Sequence, residues 1–250
     1  MTRVLKIGGR AQNDAGLPAA IRDASRHEGV VVVHGGGDEV SALQRRLGVT
    51  PAFHGGRRVT TPGDLEIVRM VLSGPANKRL VSAFVTAGVR AVGISGEDDG
   101  LLMARAVARE TLGEVGEPSR VDTRLLTHLI DAGYVPVVSP LARDEATGTT
   151  LNVNGDDAAA AIAVALGAKE LVLVADVAGV MAHNVPIPEL DVEQAAALIE
   201  NGTARDGMAA KLQAARRAVE RGVARVRIGN IAAIESASSG TVITLSPTVV

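Results

Sequence analysis

VVVVHGGGDEV, residues Val30 to Val40, sets four consecutive valines against a histidine, three glycines and an acidic stretch suited to the first turn of a helix. Four β-branched residues in a row read as a strand that is apolar on both faces, the kind buried in a parallel sheet. A glycine-bearing turn that leads from such a strand into a helix is the unit from which open α/β sheets are built. Related punctuation recurs: Gly29 precedes VVVV, Gly88 precedes VRAVGI, Gly133 precedes YVPVV, Gly167 precedes AKELVLV and Gly222 precedes VARVRI. Each of these glycines reads as a left-handed stop just past a helix. The alternation predicts right-handed βαβ units in a doubly wound α/β fold, an open, mainly parallel sheet flanked by helices. A division into two lobes is expected near residues 165–170.

Helix starts agree with this pattern. TPGDLEIVRMVL offers Thr61 as N-cap, Pro62 at the first helical position and Asp64 three residues past the cap. LDVEQAAALIENG offers Asp191 as cap, Gln194 in the capping-box position and Gly202 as stop. NGDDAAAAIAVALG predicts a helix from about Asp156 to Gly167, and DGMAAKLQAARRAVERG one from about Asp206 to Gly222.

Composition narrows the function. The 250 residues are 46% apolar, with 26 basic against 28 acidic side chains. That balance, and a ring content limited to Phe53, Phe84 and Tyr134, give no support for nucleic-acid binding. Cysteine is absent, so disulfides and thiolate metal sites are excluded. No apolar run approaches the ~18 residues of a membrane span, and MTRVLKIGG is too soon interrupted by Lys6 to be a signal peptide. A soluble, cytoplasmic protein without a membrane role is expected. His27, His34, His54, His128 and His183 are too scattered to form a metal site, although His34 is placed to orient its glycine turn.

Ligands of open parallel sheets bind beyond the carboxyl ends of the strands. Lys6, Gly8 and Gly9 fall at one such end, Gly35, Gly36 and Gly37 at a second, and Asp176 and Gly179 at a third. Glycines let an anion approach backbone N–H groups at a helix start, so KIGG and HGGG together read as a cradle for phosphate or carboxylate. They match neither the P-loop pattern nor G-x-G-x-x-G, whose third glycine is replaced by Val40. Lys6 in a buried strand is costly unless it meets a counter-charge or ligand; the alternative is an edge lysine reaching solvent. Taken alone, Lys211 reads first as an exposed helix lysine and Asp156 as a helix cap, while Arg58 reads equally as a carboxylate clamp or a solvated loop residue.

Taken together, KIGG, HGGG, GRRVT, NK at Asn77–Lys78, AVGISGED, GYVPVVSP, NVNGDDAA, LVADVAGV and DGMAAK resemble the amino acid kinase family, especially its branch acting on N-acetyl-L-glutamate. The resemblance covers nearly the whole chain. It implies a three-layer αβα sandwich and ATP-dependent phosphorylation of the acceptor's γ-carboxylate, with magnesium bound through the nucleotide phosphates. It implies that Lys6 and Lys211 stabilise the transferring phosphoryl group, that Asp156 holds both lysines, and that Gly9 and Gly36 donate backbone N–H groups. Gly36, Gly37, Arg58 and Asn152 would bind the acceptor. Gly8, Asp176, Val177, Ala178, Gly179, Val180 and Met181, with Thr203, Ala204 and Arg205, would line the nucleotide site. Residues 1–168 would form an acceptor-binding and dimerising lobe, and 169–250 a nucleotide-binding lobe. Arg10 and Arg57 depart from the family pattern and are expected as two extra cations near the acceptor. The alternatives are a kinase for carrier-linked aminoadipate, or glutamate, and an inactive ligand-binding relative. The resemblance implies that arginine-inhibited relatives are hexamers joined by an extra helix before the first strand; only MTRVL precedes Lys6, too short for a helix of the order of 12 residues, so a homodimer insensitive to arginine is expected.

Overall fold

The computed structural model describes residues 2–182 and 185–246; His183 lies outside the described residues. The chain runs through β1 (Thr2–Ile7), α1 (Leu17–Ser25), β2 (Gly29–His34), α2 (Gly37–Arg46), β3 (Phe53–His54), β4 (Arg57–Arg58), α3 (Pro62–Val71) and α4 (Asn77–Thr86). It continues through β5 (Ala91–Ser95), β6 (Leu102–Ala106), α5 (Arg109–Leu112), β7 (Val115–Val121), α6 (Arg124–Asp131), β8 (Val135–Ser139), β9 (Leu141–Asp144), β10 (Thr150–Val153) and α7 (Gly155–Ala165). The last part comprises β11 (Glu170–Val174), β12 (Met181–Ala182), β13 (Val185–Pro186), β14 (Glu189–Asp191), α8 (Val192–Glu200), α9 (Asp206–Glu220), β15 (Val226–Gly229), α10 (Ala232–Glu235) and β16 (Thr241–Thr244).

The main sheet has the order β14-β16-β15-β11-β1-β2-β8-β5, and every neighbouring pair is parallel except β15–β16. Strand alternation sends Leu5, Ile7, Val30 and Val32 to a core with Ile21, Leu80 and Phe84. The opposite residues Val4, Val31, Val33 and Leu173 pack on Leu126, Ile162 and Leu212. Helices therefore cover both faces, as a sheet of doubly apolar strands requires. The same period of two decides where Lys6 goes. Two residues beyond Val4, it faces the layer that contains α7 and α9.

Both capping boxes form, at Thr61 with Asp64 and at Asp191 with Gln194. Gly88, Gly133, Gly167 and Gly222 adopt positive φ. Gly29 does not, and here the sequence reading fails: α1 ends at Ser25, and Gly29 is already strand, paired with Thr2. A second correction concerns α7. Its cap is Asn154, whose side chain accepts from the N–H groups of Asp156 and Asp157. Asp156 sits inside the first turn and is left free for another partner. Nor does the sequence reading anticipate the closed four-stranded barrel β10-β7-β6-β9 that packs beside the main sheet. Among the described residues, no helix is long and apolar enough to cross a membrane.

At the amino ends of the central strands a charged cluster is fully internal. Glu170 accepts from Arg3 Nε at 2.8 Å and from Arg227 Nε at 2.7 Å. Arg227 is 1% exposed and also donates to the carbonyls of Ala233, Ser236 and Ser239, which fastens the segment around α10. Burial pushes the Glu170 carboxyl up, but its arginine partners outweigh burial and hold it below the usual range. Glu170→Ala leaves the buried Arg227 guanidinium without its carboxylate partner and Arg3 with Glu28 alone, and is expected to cost about 3–5 kcal/mol. A urea titration checks this; a midpoint within error of wild type would mean that the arginines find water instead.

Candidate active site

Lys6, Asp156 and Lys211 meet at the carboxyl edge of the sheet. Lys6 Nζ lies 3.0 Å from Asp156 Oδ1, and Lys211 Nζ lies 3.3 Å from Asp156 Oδ2. Their side chains are only 8%, 5% and 12% exposed. Neither the edge-lysine nor the exposed-lysine reading survives: β1 is central and both ammonium groups are enclosed. Burial raises the Asp156 carboxyl, yet the two lysines hold it below its ordinary value. Burial and the neighbouring Lys6 lower the Lys211 ammonium, and Asp156 opposes them. Gly155 makes the approach possible, since a Cβ there would stand 3.2 Å from Lys6 Cε and 3.3 Å from the His34 carbonyl.

The glycine turns lie on either side of this array. Gly8 N–H donates to the Val174 carbonyl at 3.0 Å, and Gly35 N–H to the Ile7 carbonyl at 3.1 Å, so both turns extend the strand ladder. Gly36 has φ +157° and abuts Leu72, whose Cδ2 would be 2.6 Å from any Cβ. Only glycine fits there. His34 is fully buried, and burial depresses it to about 4, so it is neutral near pH 7. Asn77 Nδ2 approaches His34 Nε2 at 3.1 Å while donating to Val137, and His34 Nδ1 meets the Gly35 carbonyl at 2.7 Å. With Nε2 accepting, Nδ1 carries the proton and fixes the turn.

Two cavities open beside the lysine–aspartate array, one at Gly155 and the other at Lys211. One, of about 200 Å³, is walled by Gly36, Gly37, Arg58, Asn152, Val153 and Gly155. The other, of about 190 Å³, is walled by Gly8, Gly9, Arg10, Asp38, Asp176 and Lys211.

Arg58 is held rather than solvated. The two-residue turn Gly55–Gly56, both with positive φ, closes the β3–β4 hairpin and pairs Phe53 with Arg58. Arg58 Nη2 donates to the Gly37 carbonyl at 2.7 Å and to Ser41 Oγ at 2.8 Å, and Nη1 donates to Gln44 Oε1. Its guanidinium also stacks 4.8 Å from the Phe53 ring. Gln44 is anchored in turn by Asp64, the capping-box partner of Thr61 in the first turn of α3, at 2.6 Å. Asn152 Nδ2 bonds Thr60 Oγ1, which donates to the Arg58 carbonyl. Sequence reasoning gave no site role to Ser41, Gln44, Thr60, Asp64, Asn77 or Gly155, although it read Asp64 as a capping partner and quoted the stretches that contain Thr60, Asn77 and Gly155. Spacing gives no sign of them, apart from the three-residue offset between Asp64 and its cap.

The extra cations correct an expectation. Arg10 lines the cavity of Lys211, away from Arg58, and its Nη1 pairs with Asp176 Oδ2 at 3.0 Å. Arg57 lines the same cavity as Arg58 but is taken by Glu117 at 2.6 Å and by Asp157 at 3.7 Å. Of the remaining predicted residues, Asp176 borders the second cavity, whereas Val180 and Ala204 turn their side chains into the core. Gly179 packs on Thr241, and Met181 opens the β12–β13 hairpin. Val177 and Ala178 lie in the turn between Asp176 and Gly179. Thr203 and Arg205 lead into α9, the first bonded to Asn201 and the second to the Gly202 carbonyl. Among the described residues no group of three or more His, Asp or Glu side chains is disposed to hold a metal.

An αβα sandwich with glycine turns at adjacent strand ends, and with two buried lysines sharing one aspartate near two cavities, is suited to moving a phosphoryl group between two small anionic ligands. The chain belongs to the amino acid kinase family, whose model matches residues 1–230. It is 42% identical over 237 residues to an acetylglutamate kinase of Chloroflexus aurantiacus, covering 92% of each protein. An acetylglutamate kinase of Methanoculleus marisnigri is 43% identical over 247 residues, 92% of this chain and 85% of that one. A solved structure from Streptococcus mutans matches with a TM-score of 0.90 at 28% identity, over 98% of this chain and 99% of that one.

Proposed function

We propose that this chain is an acetylglutamate kinase: it transfers the γ-phosphoryl group of ATP to the γ-carboxylate of N-acetyl-L-glutamate, giving N-acetyl-L-glutamyl 5-phosphate, the second step of arginine biosynthesis. The observation that carries the reading is the lysine–aspartate–lysine array lying beside both a cavity bordered by a fixed arginine and a glycine-lined cavity. The names and coverage of the relatives support it. The acceptor lies in the Arg58 cavity, its α-carboxylate on Arg58 and Asn152 and its reacting end against Gly36 and Gly37. The nucleotide lies across Gly8, Gly9 and Asp176, with its adenosine end toward 177–181 and 203–205. In this reading residues 1–168 supply the acceptor walls and residues 169–250 the adenosine end.

The chemistry needs little beyond this. Phosphoryl transfer depends on positioning and on neutralising charge that spreads over the phosphoryl oxygens. Both reactants are anions, and two ammonium groups offset their repulsion, while Asp156 keeps the lysines together. The acceptor carboxylate is already ionised near pH 7, so no general base is required. Magnesium, carried on the nucleotide phosphates, supplies further neutralisation.

Hydroxylamine traps acyl phosphates as hydroxamates. With ATP and, separately, N-acetylglutamate, glutamate, aspartate and aminoadipate, the hydroxamate should form with N-acetylglutamate far above the rest; preference for another acid would overturn the acceptor. Arg58→Lys provides a finer probe, because lysine lacks the planar fork. The KM for N-acetylglutamate should rise roughly tenfold or more while that for ATP stays nearly constant. Equal rises in both would assign Arg58 to scaffolding.

A further inference from the structure

Arg10 follows Gly9 in the turn after β1, and its side chain is 82% exposed. It reaches Asp176, itself half-exposed, in the turn after the adjacent strand β11, so the pair spans the mouth of the cavity that Lys211 borders. Ion pairs this open to water are weak and readily exchanged. The cavity wall carries two cations, Arg10 and Lys211, against two carboxylates, Asp38 and Asp176. A polyphosphate placed there adds several negative charges to a wall that is already balanced. A guanidinium binds phosphate oxygens in a bidentate fork more strongly than it binds an exposed carboxylate.

We propose that Arg10 is a phosphate-binding residue that releases Asp176 and takes up the outer phosphates of the nucleotide. The proposal rests on the kinase reading above. Asp176 then acts as a placeholder, keeping Arg10 at the mouth while the cavity is empty and opposing the phosphates electrostatically once they arrive. The two partners therefore have effects of opposite sign. A purely structural bridge would instead make both substitutions harmful in the same way.

Equilibrium binding of AMP and of AMP-PNP, both with magnesium, separates these cases through the ratio of the two dissociation constants. Using a ratio cancels any contact that Asp176 makes with the adenosine end. Arg10→Gln should reduce the preference for AMP-PNP roughly tenfold, as expected for losing a charged hydrogen-bonding group, with AMP little affected. Arg10→Lys should fall between, having charge without the fork. Asp176→Asn should leave the preference at or above the wild-type value. An unchanged ratio in Arg10→Gln, or a parallel fall in Asp176→Asn, would overturn the proposal while leaving the kinase reading intact. A wild-type protein that binds neither nucleotide would overturn both. Arg10 is too exposed for its loss to unfold the chain, and thermal melting of each variant verifies that.

Discussion

Lys211→Ala lowers kcat roughly 10²–10³-fold and changes either KM only a few-fold, as expected for a charge contact made mainly in the transition state. The geometry gives the reason. Lys211 projects from α9 to the shared aspartate and borders the glycine-lined cavity. The loss of rate is not a loss of fold. Burial and Lys6 both disfavour the Lys211 ammonium in the folded state, so removing it relieves a cost. Stability should therefore be equal to or above wild type near pH 7. The difference from wild type should narrow as pH rises from the lowered folded pKa toward the unfolded value of 10.5, because the unprotonated amine carries no such cost. A variant with near-normal kcat, or one that loses rate only because it unfolds, would remove Lys211 from the chemistry.

Asp156→Asn keeps the shape of the site and removes the carboxylate that both enclosed ammonium groups contact. We expect kcat to fall by roughly 10²-fold or more, and stability to fall by about 3–5 kcal/mol, because both lysines become uncompensated. The pH profile is the sharper readout. Asp156 opposes burial in keeping Lys211 protonated, so its loss moves the Lys211 pKa further down. The alkaline limb of the kcat profile must then shift to lower pH. An unmoved limb would show that the lysines do not depend on Asp156 for their charge.

The parallel core and the glycine turns were legible in the sequence because they rest on local rules: β-branched runs, caps and stops. Thr61 and Asp191 could be placed from spacing alone, and both form capping boxes. Gly29 misled because a glycine between helix and strand can belong to either, and the strand claims it through its pairing with β1. Asp156 looked like a cap because Asn154 offers the same chemistry two residues earlier. The position of Arg10 depended on which strand lies beside β1. That neighbour is β11, more than 160 residues on, so no local signal could pair Arg10 with Asp176. The barrel was hidden for a related reason. Its four short strands pair across irregular connections, with a register shift between Met103 and Ala104 that breaks the alternation on which a strand prediction relies. The support of Arg58 by Ser41, Gln44 and Asp64 is likewise tertiary and leaves no periodic trace.

The central claim is that a carboxylate oxygen of N-acetylglutamate attacks the γ-phosphorus of ATP at the Lys6–Asp156–Lys211 array. N-acetylglutamate labelled with ¹⁸O in both γ-carboxylate oxygens tests it directly, in the presence of hydroxylamine. Hydroxylamine attacks the acyl carbon of the product, so the phosphate released should carry one ¹⁸O atom, in proportion to the ADP formed. Formation of ADP with unlabelled phosphate would mean that water, not the carboxylate, accepts the phosphoryl group, and the account would be wrong.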